Sequence, residues 1–103
     1  FRYIDQLIAE FKKIPKDNKR KLAELLAEIL DNVNYVHPFR EGNGRTQREF
    51  LRLLALDKSL TLNLNPPNNK SVYERYMKGT IESDITTLTE LIFELIATEN
   101  HED

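Results

Sequence analysis

The feature that most constrains this chain is an apolar stripe that stops at a proline. From Lys19 to Val36, apolar side chains recur at Leu22, Leu25, Leu26, Ile29, Leu30, Val33 and Val36. Spacings of three and four over eighteen residues place them on one wide helical face, and a helix this long with a face this wide has to be central and buried. Pro38 disfavours helical backbone at His37, so the helix is expected to end there. Whatever follows His37 is therefore held at the end of the most buried element of the fold.

The rest of the chain supplies partners for that stripe. Ile4, Leu7, Ile8 and Phe11 predict a first helix from about Tyr3 to Ile14, stopped by Pro15, and Asp17 or Asn18 can cap the long helix that follows. After Gly42-Asn43-Gly44, a further helix is expected from Asn43 or Gly44 to Asp57, with Phe50, Leu53, Leu54 and Leu56 as its apolar residues. Between Lys58 and Asn69, Leu60, Leu62 and Leu64 alternate with polar residues, but Pro66-Pro67 and the neighbouring asparagines favour an extended loop over a sheet strand. A helix from Lys70 to Lys78 is expected to stop near Gly79, a residue type suited to a helix C-terminus. A last one, from Ser83 or Asp84 to Thr98, carries Ile85, Leu88, Leu91, Ile92, Leu95 and Ile96. The acidic tail 99–103 is expected to fray. The expectation is an all-α fold of about five helices in one domain over residues 1–103.

Composition narrows the function classes. At 103 residues, 40% hydrophobic and 31% charged, the chain suits one globular core. A net charge of −2 offers no basic field for nucleic acid, and no apolar run is long enough for a membrane span, so neither partner is expected. Having no cysteine rules out disulfides and thiolate metal sites and suits a reducing compartment, hence an expected cytoplasmic location, with delivery into a host cell left open.

Chemistry is concentrated between His37 and Arg48. Two of the three glycines flank Asn43 at the start of a helix, where backbone amides can converge on an anion. Arg45 and Arg48, in the first turns, can hold phosphate oxygens by forked hydrogen bonds. Glu41 is a hard oxygen ligand of the kind Mg²⁺ takes when phosphates and water complete its shell. His37 can accept a proton from a hydroxyl nucleophile. Each residue has an ordinary structural reading: a helix-end histidine, a turn glycine, a solvated glutamate, an arginine face paired with Glu49. Their conjunction within twelve residues points instead to phosphoryl-type chemistry, in which positioning and charge neutralisation dominate. Phe39 reads as a core anchor for the loop.

The run His37-Pro38-Phe39-Arg40-Glu41-Gly42-Asn43-Gly44-Arg45-Thr46-Gln47-Arg48 resembles the signature of the Fic (filamentation induced by cAMP) family, His-x-Phe-x-Asp/Glu-Gly-Asn-Gly-Arg-x-x-Arg, at every defined position. The resemblance implies a protein adenylyltransferase, moving AMP from Mg²⁺-bound ATP to a Tyr, Thr or Ser hydroxyl of a target protein and releasing pyrophosphate. It makes His37 the general base and Glu41 the Mg²⁺ ligand. Gly42, Asn43 and Gly44 become the anion hole, Arg45 the contact to the β-phosphate and Arg48 the contact to the γ-phosphate. Relatives resembling Doc toxins have Lys at the position of Gly44 and act as kinases, so Gly44 favours nucleotidyl transfer. Tyr73, Tyr76 and Met77 lie on the helix that flanks the base in the family, where an aromatic face can stack on adenine; core packing explains them as well.

The family also implies parts that are missing or incomplete here. A β-hairpin flap that docks the target segment is represented only by Phe1-Arg2-Tyr3 at its downstream edge. The inhibitory pattern Ser/Thr-x-x-x-Glu-Gly/Asn has as nearest candidates Thr86 to Glu90, followed by Leu91, and Thr98 to Glu102, followed by Asp103. Neither fits, which puts an inhibitor in other sequence or on a partner. The alternatives are a non-catalytic or partner-regulated nucleotide-binding interaction module, and transfer of a different phosphate-linked group by the same pocket.

Overall fold

The computed structural model describes residues 2–36 and 43–98, with Asn43 described by its backbone alone. Five α-helices and no strand occur among them: α1 (Arg2–Lys13), α2 (Lys19–Val36), α3 (Asn43–Asp57), α4 (Lys70–Ile81) and α5 (Ile85–Thr98). The all-α expectation holds. Its central helix is α2, which packs most extensively on α5 and also meets α1, α3 and α4.

The stripe on α2 does what its spacing requires. Leu22, Leu26, Ile29 and Leu30 are wholly buried, as are Leu88, Leu91, Ile92 and Ile96 of α5. Each such side chain contributes about 1.5–3 kcal/mol by leaving water, so this pairing is the main source of stability. Leu7 and Phe11 of α1 complete the core from one side. Arg2 and Tyr3, expected at the edge of a hairpin, are instead in the first turn of α1, where the Tyr3 hydroxyl donates to Glu28 at 3.2 Å.

Caps and turns set the helix ends. Asn18 caps α2, its Oδ1 accepting from the Lys21 amide at 3.3 Å; Asn69 caps α4 through the Ser71 amide and Asp84 caps α5 through the Thr87 amide. The Lys58 ammonium closes the end of α1, donating to Lys12 O at 2.8 Å and, just past the helix, to Ile14 O at 2.7 Å. The same ammonium lies over the Phe11 ring. Segment 58–69 is a loop without strand, as expected, turning at 58–59 and 67–68, and works as a plug: Leu60, Leu62 and Leu64 enter the core while Thr61, Asn63 and Asn65 face solvent.

Two sequence expectations are corrected. Gly79 does not end α4. The helix continues to Ile81, and the left-handed residue that closes it is Ser83 (φ 54°), with Asp84 N donating to Gly79 O at 2.9 Å. Gly79 is needed for close packing, since a Cβ there would lie 2.6 Å from Leu88 Cδ2. On α3 the buried residues are Leu51, Leu54 and Ala55, whereas Leu53 and Leu56 are about half exposed. The register is one residue away from the one read off the leucines, because Gln47 occupies the first position of the buried face.

Candidate active site

The site residues approach from the C-terminal end of α2 and the N-terminal end of α3. His37, Phe39, Glu41 and Gly42 lie outside the described residues, so the expected proton acceptor, loop anchor, metal carboxylate and first glycine of the anion hole rest on sequence alone. Their flanks are described. Val36 is the last residue of α2 and Asn43 the first of α3, so the chemistry-bearing segment spans only the six residues between two packed helices.

The start of α3 offers a place for anions. The first amides of any helix lack intrahelical acceptors and carry the positive end of the helix dipole. Gly44 is buried, Arg45 is exposed and Arg48 is half-buried on these first turns. Arg52, one turn further, is engaged otherwise, donating to both oxygens of Glu49 at 3.0 and 2.7 Å. The third arginine of the row is thus a surface pair.

Arg48 joins the α3 site to α4. Its guanidinium carbon lies 5.4 Å from the Tyr73 ring centroid and 5.9 Å from that of Tyr76, close enough for attraction between the cation and the ring faces. The two rings are 5.8 Å apart and tilted by 51°. Tyr73 and Met77 are half-buried, but Tyr76 is wholly buried. Its hydroxyl donates to Gln47 Oε1 at 3.0 Å and approaches Gly44 O at 3.4 Å. Burial pushes the Tyr76 hydroxyl up to about 12, with the nearby Arg48 charge acting against the rise. Tyr76 is therefore a neutral donor inside the protein, and of the three residues only Tyr73 and Met77 keep part of their surface exposed.

Sequence reasoning missed Gln47, Asn34 and Thr80. Gln47 is 2% exposed; its Nε2 donates to Asn34 Oδ1 at 3.0 Å, and Asn34 Nδ2 donates to Thr80 O at 3.0 Å. One signal was available: Gln47, Leu51, Leu54 and Ala55 share a helical face, so a polar residue stands in an apolar register. Of the two candidate inhibitory segments, the one over Thr86–Glu90 lies in α5 with its two ends, Thr86 and Glu90, exposed and Leu88 and Thr89 turned into the core; the Glu90 carboxylate accepts from Arg20 at 2.7 Å. The other extends into residues that are not described.

In the sequence, Glu41 precedes the start of α3 and is a donor of the type Mg²⁺ accepts when phosphates and water complete its shell. Among the described residues no group of three or more His, Asp or Glu could hold a metal by itself. No helix among them is long and apolar enough to cross a membrane.

Residues 1–55 match the Fic/DOC family, and the chain belongs to that family. A protein adenylyltransferase of Bartonella henselae is 37% identical over 62 residues, covering 60% of this chain and 11% of that protein. A probable protein adenylyltransferase of Sinorhizobium fredii is 46% identical over 39 residues, covering 38% of this chain and 20% of that protein. The chain thus spans about a tenth and a fifth of the lengths of these curated relatives. No solved structure matches it significantly.

Proposed function

We propose that this chain is the catalytic core of a protein adenylyltransferase, which transfers AMP from ATP to a Tyr, Thr or Ser hydroxyl of a target protein. The observation that carries the reading is Arg48. It closes the family signature on the first turns of α3, and its guanidinium lies over the Tyr73 ring, which supports reading it as a phosphate-binding cation beside an aromatic face for a base. The names of the two relatives support the same reaction.

In this reading the amides of Gly42, Asn43 and Gly44 bind the phosphate chain, Arg45 holds its β-phosphate and Arg48 its γ-phosphate. Glu41 would hold Mg²⁺, which supplies neutralisation of phosphate charge. His37 takes the proton of the target hydroxyl as its oxygen bonds to the α-phosphorus. The bond from that phosphorus to the bridging oxygen breaks, and pyrophosphate leaves. Tyr73 and Met77 line the base, and Tyr76 supports Arg48 from within the core.

The test is incubation of the protein with Mg²⁺ and α-labelled ATP, alone and with cell extract, beside His37→Ala, followed by mass spectrometry. A His37-dependent gain of AMP on a protein side chain is expected, falling by roughly 10²–10⁴-fold in the variant. Equal labelling by both proteins would overturn the assignment of His37. ATP binding with no transfer by the wild-type protein would favour the nucleotide-binding interaction module.

A further inference from the structure

We propose that Asn34, Gln47 and the Tyr76 hydroxyl act as a positioning relay that fixes the two ends of segment 37–42 relative to each other. The relay has one direction. Tyr76 of α4 donates to Gln47 of α3, Gln47 donates to Asn34 of α2, and Asn34 donates to the carbonyl of Thr80, back on α4. Tyr76 and Thr80 are one helical turn apart, so the three bonds, each 3.0 Å, close a ring through three helices. The ring brackets the segment, because Asn34 lies in the last turn of α2 and Gln47 is one turn into α3.

Stability alone does not call for an amide here. A buried polar group costs free energy unless it is bonded, and an apolar side chain would fill the same place on the face that Leu51, Leu54 and Ala55 continue. What an amide adds is direction: leucines that slide against each other lose little contact, while a hydrogen bond weakens steeply with displacement and angle. The contact between α2 and α3 is much less extensive than that between α2 and α5, so packing constrains this junction less than it does the α2–α5 interface. The relay also reaches the signature from behind, with the Tyr76 hydroxyl near Gly44 O and its ring near Arg48. Misplacement by about 1 Å can cost on the order of 10²-fold in rate.

The catalytic consequence rests on the proposed function, and the structural one does not. Hydrogen exchange read by mass spectrometry on the full chain separates them, comparing wild type with Gln47→Leu. Exchange in peptides covering residues 35–46 should rise by about tenfold or more, with peptides of α5 unchanged. No rise in 35–46, or a parallel rise in both regions, would overturn the relay. Should Gln47→Leu fail to fold, Tyr76→Phe removes one link and is read on the same peptides. Where wild type transfers AMP, kcat should drop about 10- to 100-fold with KM for ATP nearly constant; an unchanged kcat would overturn the positioning role. A wild type that transfers no AMP removes the proposed function and leaves the exchange result to decide the relay.

Discussion

The α2–α5 interface and the α2–α3 junction solve different problems with the same central helix. Against α5, α2 presents leucine and isoleucine, and the bond between the helices is area removed from water. Against α3, at the end that carries His37, it presents Asn34 to a buried Gln47. Apolar area is non-directional and supplies stability in bulk. Hydrogen bonds contribute less net free energy but fix distance and angle. The scaffold is thus built from the first kind of contact and the geometry of the site from the second.

Truncation in the apolar region should have the largest effect. Leu26→Ala, at a wholly buried position, is expected to cost about 2–5 kcal/mol, read as a shift of the urea midpoint. A loss below 1 kcal/mol would show that α2 is less central than its burial implies. Gly79→Ala comes next. The new Cβ would meet Leu88 Cδ2 at 2.6 Å and Cγ at 2.8 Å, and Leu88 is itself buried, so the α4–α5 contact must shift at a cost of about 1–3 kcal/mol. The better helix propensity of alanine offsets up to about 1 kcal/mol of this. A net gain in stability would mean that the two helices separate easily.

Tyr76→Phe sharpens the comparison, because it deletes a hydrogen bond and keeps the ring. The expected loss near neutral pH is about 1 kcal/mol. Its pH signature is separate. The folded-state value, about 12, lies above the usual tyrosine value of 10, so the folded protein keeps a proton that the unfolded chain releases. The resulting stability is complete below pH 10 and is lost as pH rises from 10 to 12, by an amount on the order of 2 kcal/mol. Wild type should lose stability in that window more steeply than Tyr76→Phe, and matching slopes would contradict the buried, neutral hydroxyl. The smallest effect is expected at the surface. Arg75 donates to both oxygens of Glu94 at 2.8 and 3.0 Å, but both side chains are substantially exposed. Arg75→Ala should therefore change stability by less than about 1 kcal/mol, and less still at high salt.

Much of this was readable in advance for identifiable reasons. The apolar faces of α1, α2 and α5 follow from spacing alone, since a period of 3.6 residues admits one buried side, and Pro15 and Pro38 mark boundaries by removing backbone options. The signature from His37 to Arg48 is local in sequence, so the family could be read from it. The misreadings involve choices between helices. Gly79 has the residue type of a helix stop, but Leu88 of another helix claims the space beside it, and Ser83 takes the left-handed turn. Leu53 and Leu56 have the residue type of a core, yet the side of α3 that meets the rest of the protein is set by Gln47, Leu51, Leu54 and Ala55.

The sequence by itself determined that the described residues are mainly helical and that the chain belongs to the Fic/DOC family. These are properties of neighbouring residues, and backbone sterics and periodicity act over that range. Only the tertiary structure decided that Arg48 rests beside Tyr73 and Tyr76, that Tyr76 is buried with its hydroxyl on Gln47, and that Asn34 closes the ring to Thr80. These contacts join residues from 13 to 46 positions apart. Nothing local makes Gln47 choose Asn34 over water; the packing of α2, α3 and α4 buries Gln47 and brings Asn34 and Tyr76 within its reach.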